Sequence, residues 1–148
     1  MKNPIKLALL LFAVVVGFGF TPGFVAFFRI DVDGDPKLAA KALEEAVVNS
    51  GGKLYQWDSP RRWFNVPFSA DGSGYSPGNS FNVGFEGKGA RLVVVSVNGA
   101  IAGGCSPSRS KAAELQAEAR LKGIVEKASK AVGFKMSFSE ARNANGDP

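Results

Sequence analysis

The chain has no histidine among its 148 residues, and this absence removes several common kinds of active site. Without an imidazole, neither a Ser-His-Asp triad nor a Cys-His pair can form. Zinc sites that need histidine ligands are excluded for the same reason. No segment has the G-x-x-x-x-G-K-[ST] spacing of a nucleotide-binding loop. The sequence therefore favours a noncatalytic protein and predicts neither a cofactor nor a metal.

Cysteine is nearly as scarce, because Cys105 is the only one in the chain. A single cysteine excludes an internal disulfide bond and a zinc site made of thiolates. Cys105 precedes a predicted helix, where a thiol is either buried and inert or activated as a nucleophile. The sequence leaves both interpretations open, and the second makes Cys105 a candidate reactive thiol.

A long apolar run occupies residues 7–28, with Lys2 and Lys6 before it and Arg29 after it. Its length of about 22 residues, at about 1.5 Å per residue, would just cross a hydrocarbon core of about 30 Å. The Pro22-Gly23 pair and the alternation that follows favour a membrane segment that ends near Phe20 and a strand that begins near Phe24. The same residues also fit a secretory signal peptide, with a basic start, an apolar centre and small residues before a cleavage site. Both interpretations place the following domain outside the cytoplasm, because the positive charge stays on the inner side.

The chain is accordingly divided into three parts. Residues 1–23 are predicted to be an export segment, which is either a membrane anchor or a signal peptide. Residues 24–140 have the length of one globular domain, and residues 141–148 are expected to form a flexible tail. We expect a single-pass membrane protein with its domain on the extracytoplasmic side, or a secreted or periplasmic protein if the leader is cleaved.

The spacing of apolar residues within the domain predicts its helices and strands. Alternation from Phe24 onward predicts a first strand. Asp35 before Pro36, followed by apolar residues at every third or fourth position, predicts a helix that ends at the Asn49 to Gly52 turn. Further strands are predicted at residues 53–57, 62–68, 80–86, 91–97 and 134–138, with an exposed loop at 69–80 and a second helix at about 108–131. The valine-rich strand at 91–97 is expected to be buried on both faces.

This order predicts an α+β fold in which two helices cover one face of an antiparallel sheet. If residues 62–85 are treated as an inserted hairpin and loop, the remaining elements follow the split βαβ (ferredoxin-like) order. No internal repeat or heptad pattern is present.

Two groups of residues are candidates for a site. One group consists of three acids at alternate positions, as in calcium loops: Asp31, Asp33 and Asp35. The glycine and the bidentate glutamate of a calcium loop are missing. A strand end, a turn and a helix cap explain the three acids. The stronger candidate is a predicted hairpin that mixes aromatic residues with arginine, as contact surfaces often do. Its candidate binding residues are Tyr55, Trp57, Arg61, Arg62 and Trp63.

The leading hypothesis is a noncatalytic exported envelope protein that binds a protein or other envelope component through the aromatic and arginine hairpin. One alternative is a thiol-dependent enzyme or redox protein that uses Cys105. Another is a structural or assembly subunit of a membrane complex, which leaves self-association open. The formal charge of +5 is explained by a soluble basic surface, and an exported domain seldom meets nucleic acid, so a nucleic-acid partner is not expected.

Overall fold

A computed structural model describes residues 23–58, 61–69, 80–100 and 107–148 of the chain. The predicted α+β class is confirmed: a six-stranded antiparallel sheet packs with two helices. The elements in chain order are β1 (Gly23–Val32), α1 (Pro36–Asn49), β2 (Lys53–Asp58), β3 (Arg61–Pro67), β4 (Ser80–Lys88), β5 (Leu92–Ala100), α2 (Pro107–Val132) and β6 (Met136–Ala141).

The strands lie in the order β2-β3-β4-β5-β1-β6, and every neighbouring pair is antiparallel. Residues 62–85, expected to be an insertion, instead supply most of β3 and the first part of β4. These two strands lie between β2 and β5 and are integral to the sheet. They are held there because β4 pairs with both β3 and β5 along its length.

Both helices pack on the same face of the sheet and against each other. The core uses alternate residues of the strands, which in β1 are Phe24, Ala26, Phe28, Ile30 and Val32. The helices complete it with one apolar stripe each, made by Ala39, Leu43 and Val47 in α1 and by Ala117, Leu121, Ile124 and Ala128 in α2. Burial of these stripes is the main favourable contribution to folding.

The ends of α1 follow from its local sequence. The side chain of Asp35 accepts a hydrogen bond of 2.8 Å from the backbone N–H of Lys37, so Asp35 is the predicted N-cap. Pro36 occupies the first turn, where its missing N–H is not needed. At the other end Gly51 has a φ of 91°, a conformation that a glycine adopts without steric cost.

The central strand β5 is buried on both faces, as predicted. Val93 and Val95 face the helices, while Val94 faces the opposite side, and all three have an exposed fraction of 0%. Val94 is covered by the C-terminal residues, because a Cβ atom at Gly146 would lie 2.9 Å from Val94 Cγ2. The residues after Ala141 form a turn that packs on the sheet, and the flexibility expected of them stays a prediction.

Hydrogen bonds hold this C-terminal turn in place. The carbonyl of Gly146 accepts from Arg29 Nη1 at 3.3 Å, and the carbonyl of Ala144 accepts from Lys88 Nζ at 3.2 Å. Within the turn, the backbone N–H of Arg142 donates to the carbonyl of Asp147 at 2.8 Å. The face of the sheet away from the helices, named the open face below, is therefore partly covered near Val94.

Several sequence predictions fall on other parts of the chain. The export segment up to residue 22, the loop at 70–79 and Cys105 lie outside the described residues. Among the helices of the described ranges, none has the length and apolarity needed to cross a bilayer.

Candidate functional site

The predicted binding hairpin exists as strands β2 and β3, and β2 forms one edge of the sheet. The backbone of Trp57 pairs with Arg62, and that of Asp58 pairs with Arg61. Tyr55 falls at an irregularity of the register between Leu54 and Gln56. For Tyr55 and Trp57 the structure describes the backbone but not the side chains.

The three remaining candidate residues do not share one surface. Successive side chains of a strand point to opposite faces, so Arg61 and Trp63 lie on the open face while Arg62 lies on the helix side. The contacts agree, because Arg61 bonds to Ser96 on the open face and Arg62 bonds to Glu44 of α1. The single predicted contact surface is therefore divided into two.

On the open face, Arg61 is held by residues of two further strands. Its Nη1 donates to Ser96 Oγ at 2.6 Å, and its Nη2 lies 2.5 Å from Glu86 Oε2. Only 17% of the Arg61 side chain and 16% of the Glu86 side chain are exposed. The Trp63 ring lies beside the guanidinium, with its centroid 5.7 Å from Arg61 Cζ. Arg61 thus uses both of its terminal nitrogens inside the protein, and its guanidinium packs against the indole ring.

A row of asparagines crosses the same face one step further along the strands. Asn65 Nδ2 donates to Asn82 Oδ1 at 3.0 Å and to Ser80 Oγ at 3.1 Å, and Asn82 Nδ2 donates to Asn98 Oδ1 at 3.1 Å. The row joins β3, β4 and β5 through side chains as well as backbone. It makes this part of the open face polar and rigid, because each amide orients the next.

The helix side of β3 forms one wall of a groove, and the second half of α1 forms the other. The groove has a volume of about 410 Å³, within the usual range for ligand sites. It is lined by Arg62 and Phe64 of β3 and by Glu44, Glu45, Val48 and Asn49 of α1. We name this feature the hairpin groove.

Arg62 and Glu44 form an ion pair inside the hairpin groove. Arg62 Nη1 lies 3.1 Å from Glu44 Oε2, and the guanidinium also lies over the Phe64 ring, with its Cζ 5.8 Å from the ring centroid. The Glu44 side chain is 19% exposed. Burial raises the pKa of Glu44, and the nearby charge of Arg62 opposes this shift without cancelling it. The ionised carboxylate is therefore not fully stabilised by its present partner.

The remaining walls add a second acid and an exposed apolar surface. Glu45 follows Glu44 and is exposed to solvent. Val48 is 52% exposed, although it is a large aliphatic residue on a helix whose other apolar side chains mostly face the core. The hairpin groove thus combines two carboxylates, one guanidinium, an amide and an apolar wall.

The sequence pattern does not predict Glu44, Glu45 or Val48 as site residues. The two acids have the spacing of a solvated helix face, and only the packing of α1 brings them beside β3. A signal was present in the run Ala46-Val47-Val48, because three consecutive helical residues cannot all lie on one face of a helix.

The acidic run before α1 does not converge on one point. Asp31 Oδ1 lies 2.7 Å from Arg29 Nη2, Asp33 Oδ1 lies 3.2 Å from Arg91 Nη2, and Asp35 caps the helix. Each carboxylate has its own protein partner. Among the described residues, no group of three or more His, Cys, Asp or Glu side chains is arranged to hold a metal ion.

A scan of this chain against models of known protein families found no match, and a search of curated proteins also found none.

Proposed function

We propose that the protein is a noncatalytic exported domain of the cell envelope that binds another envelope component through the β2–β3 hairpin. The observation that carries this proposal is the hairpin groove, where Arg62, Glu44 and an exposed Val48 form a concave surface of mixed character. Binding surfaces combine apolar contact area with a few directional polar groups. The N-terminal apolar run after Lys2 and Lys6 supports the assignment to the envelope.

We further infer that the sheet is an extended form of the split βαβ arrangement. When β2 and β3 are left out, the elements follow one another along the chain as β1, α1, β4, β5, α2 and β6, which is a βαββαβ sequence. In the sheet these four strands lie in the order β4-β5-β1-β6, and this order supports the inference. On this view β2 and β3 are an addition at one edge. The hairpin groove then lies where the added hairpin meets α1.

Site-specific photocrosslinking in the native envelope tests the binding function. A benzophenone amino acid is placed at Val48 of the full-length chain, and the control carries it at Lys122, an exposed position on α2. We expect a discrete adduct from position 48 that is absent from position 122 and is lost in Arg62→Ala. Mass spectrometry of the adduct identifies the partner.

Three outcomes separate the alternatives. An adduct that persists in Arg62→Ala, or equal labelling from both positions, contradicts binding through the hairpin groove. An adduct with a second copy of this chain favours the assembly role over capture of another component. Loss of the adduct in Trp63→Ala with retention in Arg62→Ala would move the contact to the open face. Thermal unfolding of each variant shows that the fold is intact.

A further inference from the structure

The hairpin groove has an unbalanced charge that points to the chemistry of its partner. Among the described residues that line it are two carboxylates, Glu44 and Glu45, and one guanidinium, Arg62, which is already paired with Glu44. This local excess of negative charge stands in a chain whose formal charge is +5. An electrostatically complementary ligand therefore brings a cation to this groove.

The partial burial of Glu44 also favours a cationic ligand in the groove. Its side chain is 19% exposed, and among the described residues its ion pair is with Arg62, at 3.1 Å. Burial raises the pKa of Glu44 because one neighbouring cation does not offset the lost hydration. A second cation in the groove stabilises the ionised carboxylate by completing its hydrogen bonds.

The apolar surface around the groove indicates that the cation is attached to an aliphatic chain. Val48 is 52% exposed on α1, and Leu54 is 49% exposed on β2, where it pairs with Phe64 and so points to the same side of the sheet. Aliphatic stems of lysine and arginine cover such surfaces while their charged ends reach a carboxylate. A small inorganic cation would leave both apolar side chains in water.

The position of the groove at the edge of the sheet favours a polypeptide. Exposed apolar side chains lie on α1 at Val48 and on β2 at Leu54, and β2 is the outermost strand. An extended segment presents alternate side chains to one face, so it can place a central cation between two apolar residues. A free amine supplies only the central contact.

We propose that the hairpin groove binds a basic side chain on an extended segment of the partner protein, with the cation between Glu44 and Glu45 and its stem against Val48. This inference rests on the proposed function, because it names the partner chemistry of the same site. The flanking apolar residues of the segment lie on the α1 and β2 sides of the groove.

Binding of short capped peptides to the full-length protein in detergent micelles tests this proposal. The probe is Ac-Leu-Ser-Lys-Ser-Leu-NH2, and its reference replaces lysine by norleucine, which keeps the stem and removes the charge. We expect the amide resonances of Val48 and Asn49 to shift on titration. The lysine peptide should bind about tenfold more tightly than the norleucine peptide, because one buried charge-assisted contact has that effect.

The double variant Glu44→Gln with Glu45→Gln should abolish this preference while keeping the shape of the groove. Its matched control is Glu126→Gln with Glu140→Gln, which removes the same charge at exposed positions on α2 and β6. Equal affinity for both peptides, an unchanged preference in the Glu44 and Glu45 variant, or no binding up to about 5 mM, the weak end of measurable affinity, would overturn the proposal. Butylamine that binds as tightly as the lysine peptide would overturn the polypeptide occupant and assign the groove to a free amine.

The photocrosslinking experiment separates failure of this inference from failure of the proposed function. An adduct at position 48 that is lost in Arg62→Ala but unchanged in the Glu44 and Glu45 variant means that the groove binds a partner by other chemistry. The inference then fails and the proposed function stands. If position 48 gives no specific adduct with any variant, the proposed function itself fails.

Discussion

The Arg61 side chain joins three strands of the sheet, because it belongs to β3 and bonds to Glu86 of β4 and Ser96 of β5. Its aliphatic part crosses the sheet directly above Gly84. A Cβ atom at Gly84 would lie 2.5 Å from Arg61 Cδ and 3.0 Å from Trp63 Cδ2. Glycine at this position is therefore required by space, since the guanidinium bonds prevent the side chain from moving aside.

Gly84→Ala should lower the free energy of unfolding by about 1–3 kcal/mol through overpacking and loss of the Arg61 bonds. Urea denaturation measures the change. Gly123→Ala is the matched control, because a Cβ atom there meets nothing within 4 Å inside α2. That control should be stabilising by about 0.5–1 kcal/mol. Equal urea midpoints for Gly84→Ala and the wild type would show that Arg61 does not need this space.

Glu44 gives the protein a predictable dependence on pH. Burial raises its pKa above the ordinary 4.5, against the opposing field of Arg62. A carboxyl with a higher pKa in the folded state binds its proton more tightly there than in the unfolded chain. Its contribution to stability therefore falls as the pH rises from the ordinary value through the raised folded value.

Glu44→Gln should remove this dependence. The free energy of unfolding of the variant, relative to the wild type, should rise across that pH interval by about 0.5 kcal/mol or less, because water still reaches the groove. Urea denaturation from about pH 4 to about pH 7 covers the interval. Glu126→Gln, at an exposed position of α2, is the control. If the free energy of unfolding of Glu44→Gln, relative to the wild type, instead fell with rising pH, the ion pair with Arg62 would have a larger effect on the pKa of Glu44 than burial has.

At the scale of elements, the start of α1 depends on one carboxylate. Asp35 accepts the hydrogen bond of the Lys37 N–H, whereas Asp33 forms an ion pair with Arg91 in which both side chains are at least 70% exposed. A helix cap contributes more than an exposed ion pair, because a cap satisfies a backbone donor that has no partner in the helix. The two acids are two residues apart and make a direct comparison.

Asp35→Ala should reduce the free energy of unfolding by about 1 kcal/mol, and Asp35→Asn should restore most of it, because asparagine also caps helices. Asp33→Ala should stay within about 0.5 kcal/mol of the wild type. Thermal unfolding followed by circular dichroism compares the three variants. A loss in Asp33→Ala as large as that in Asp35→Ala would contradict the capping role.

The first and last residues of a helix or strand could be predicted wherever a capping residue or a turn sequence marks its end. The sequence predicts α1 from Pro36 to the Asn49 turn, and the observed helix is Pro36–Asn49. The last strand is less exact, because alternation begins at Phe134 but pairing with β1 begins only at Met136. Phe134 instead packs where Gly34 leaves room, since a Cβ atom at Gly34 would lie 2.7 Å from its ring.

At the scale of the whole molecule, the C-terminal turn closes part of the open face. It covers Val94 and receives hydrogen bonds from Arg29 and Lys88, which belong to two other strands. Residues after Ala141 have few apolar side chains, so the sequence suggests that they have nothing to bury. The structure shows that they cover the apolar residues of β5 instead.

Truncation after Ala141 should expose Val94 and lower the free energy of unfolding by about 2 kcal/mol, the usual contribution of one buried valine side chain. Urea denaturation measures the loss, and amide hydrogen exchange in β5 should rise. Deletion of Pro148 alone is the control, because it leaves the contacts of Gly146 and Asp147 in place. A truncated chain with the urea midpoint of the full-length protein would show that this turn contributes nothing to stability.

The sequence alone determined the α+β class, both helices, the Asp35 cap and the doubly buried strand β5. These features depend on residues only a few positions apart in the sequence, so the periodicity of apolar residues or a capping residue predicts them. On the predicted strand 62–68, alternation also places Arg62 and Trp63 on opposite faces. It does not say which of the two faces the helices.

Only the tertiary structure decided where the hairpin belongs and what lies beside it. The order β2-β3-β4-β5-β1-β6 places β3 inside the sheet, and the packing of α1 against β4 brings Glu44 to Arg62. These residues are 18 positions apart in the chain. Their contact depends on strand register and helix packing. Both result from burial of the whole core, so no short sequence pattern predicts them.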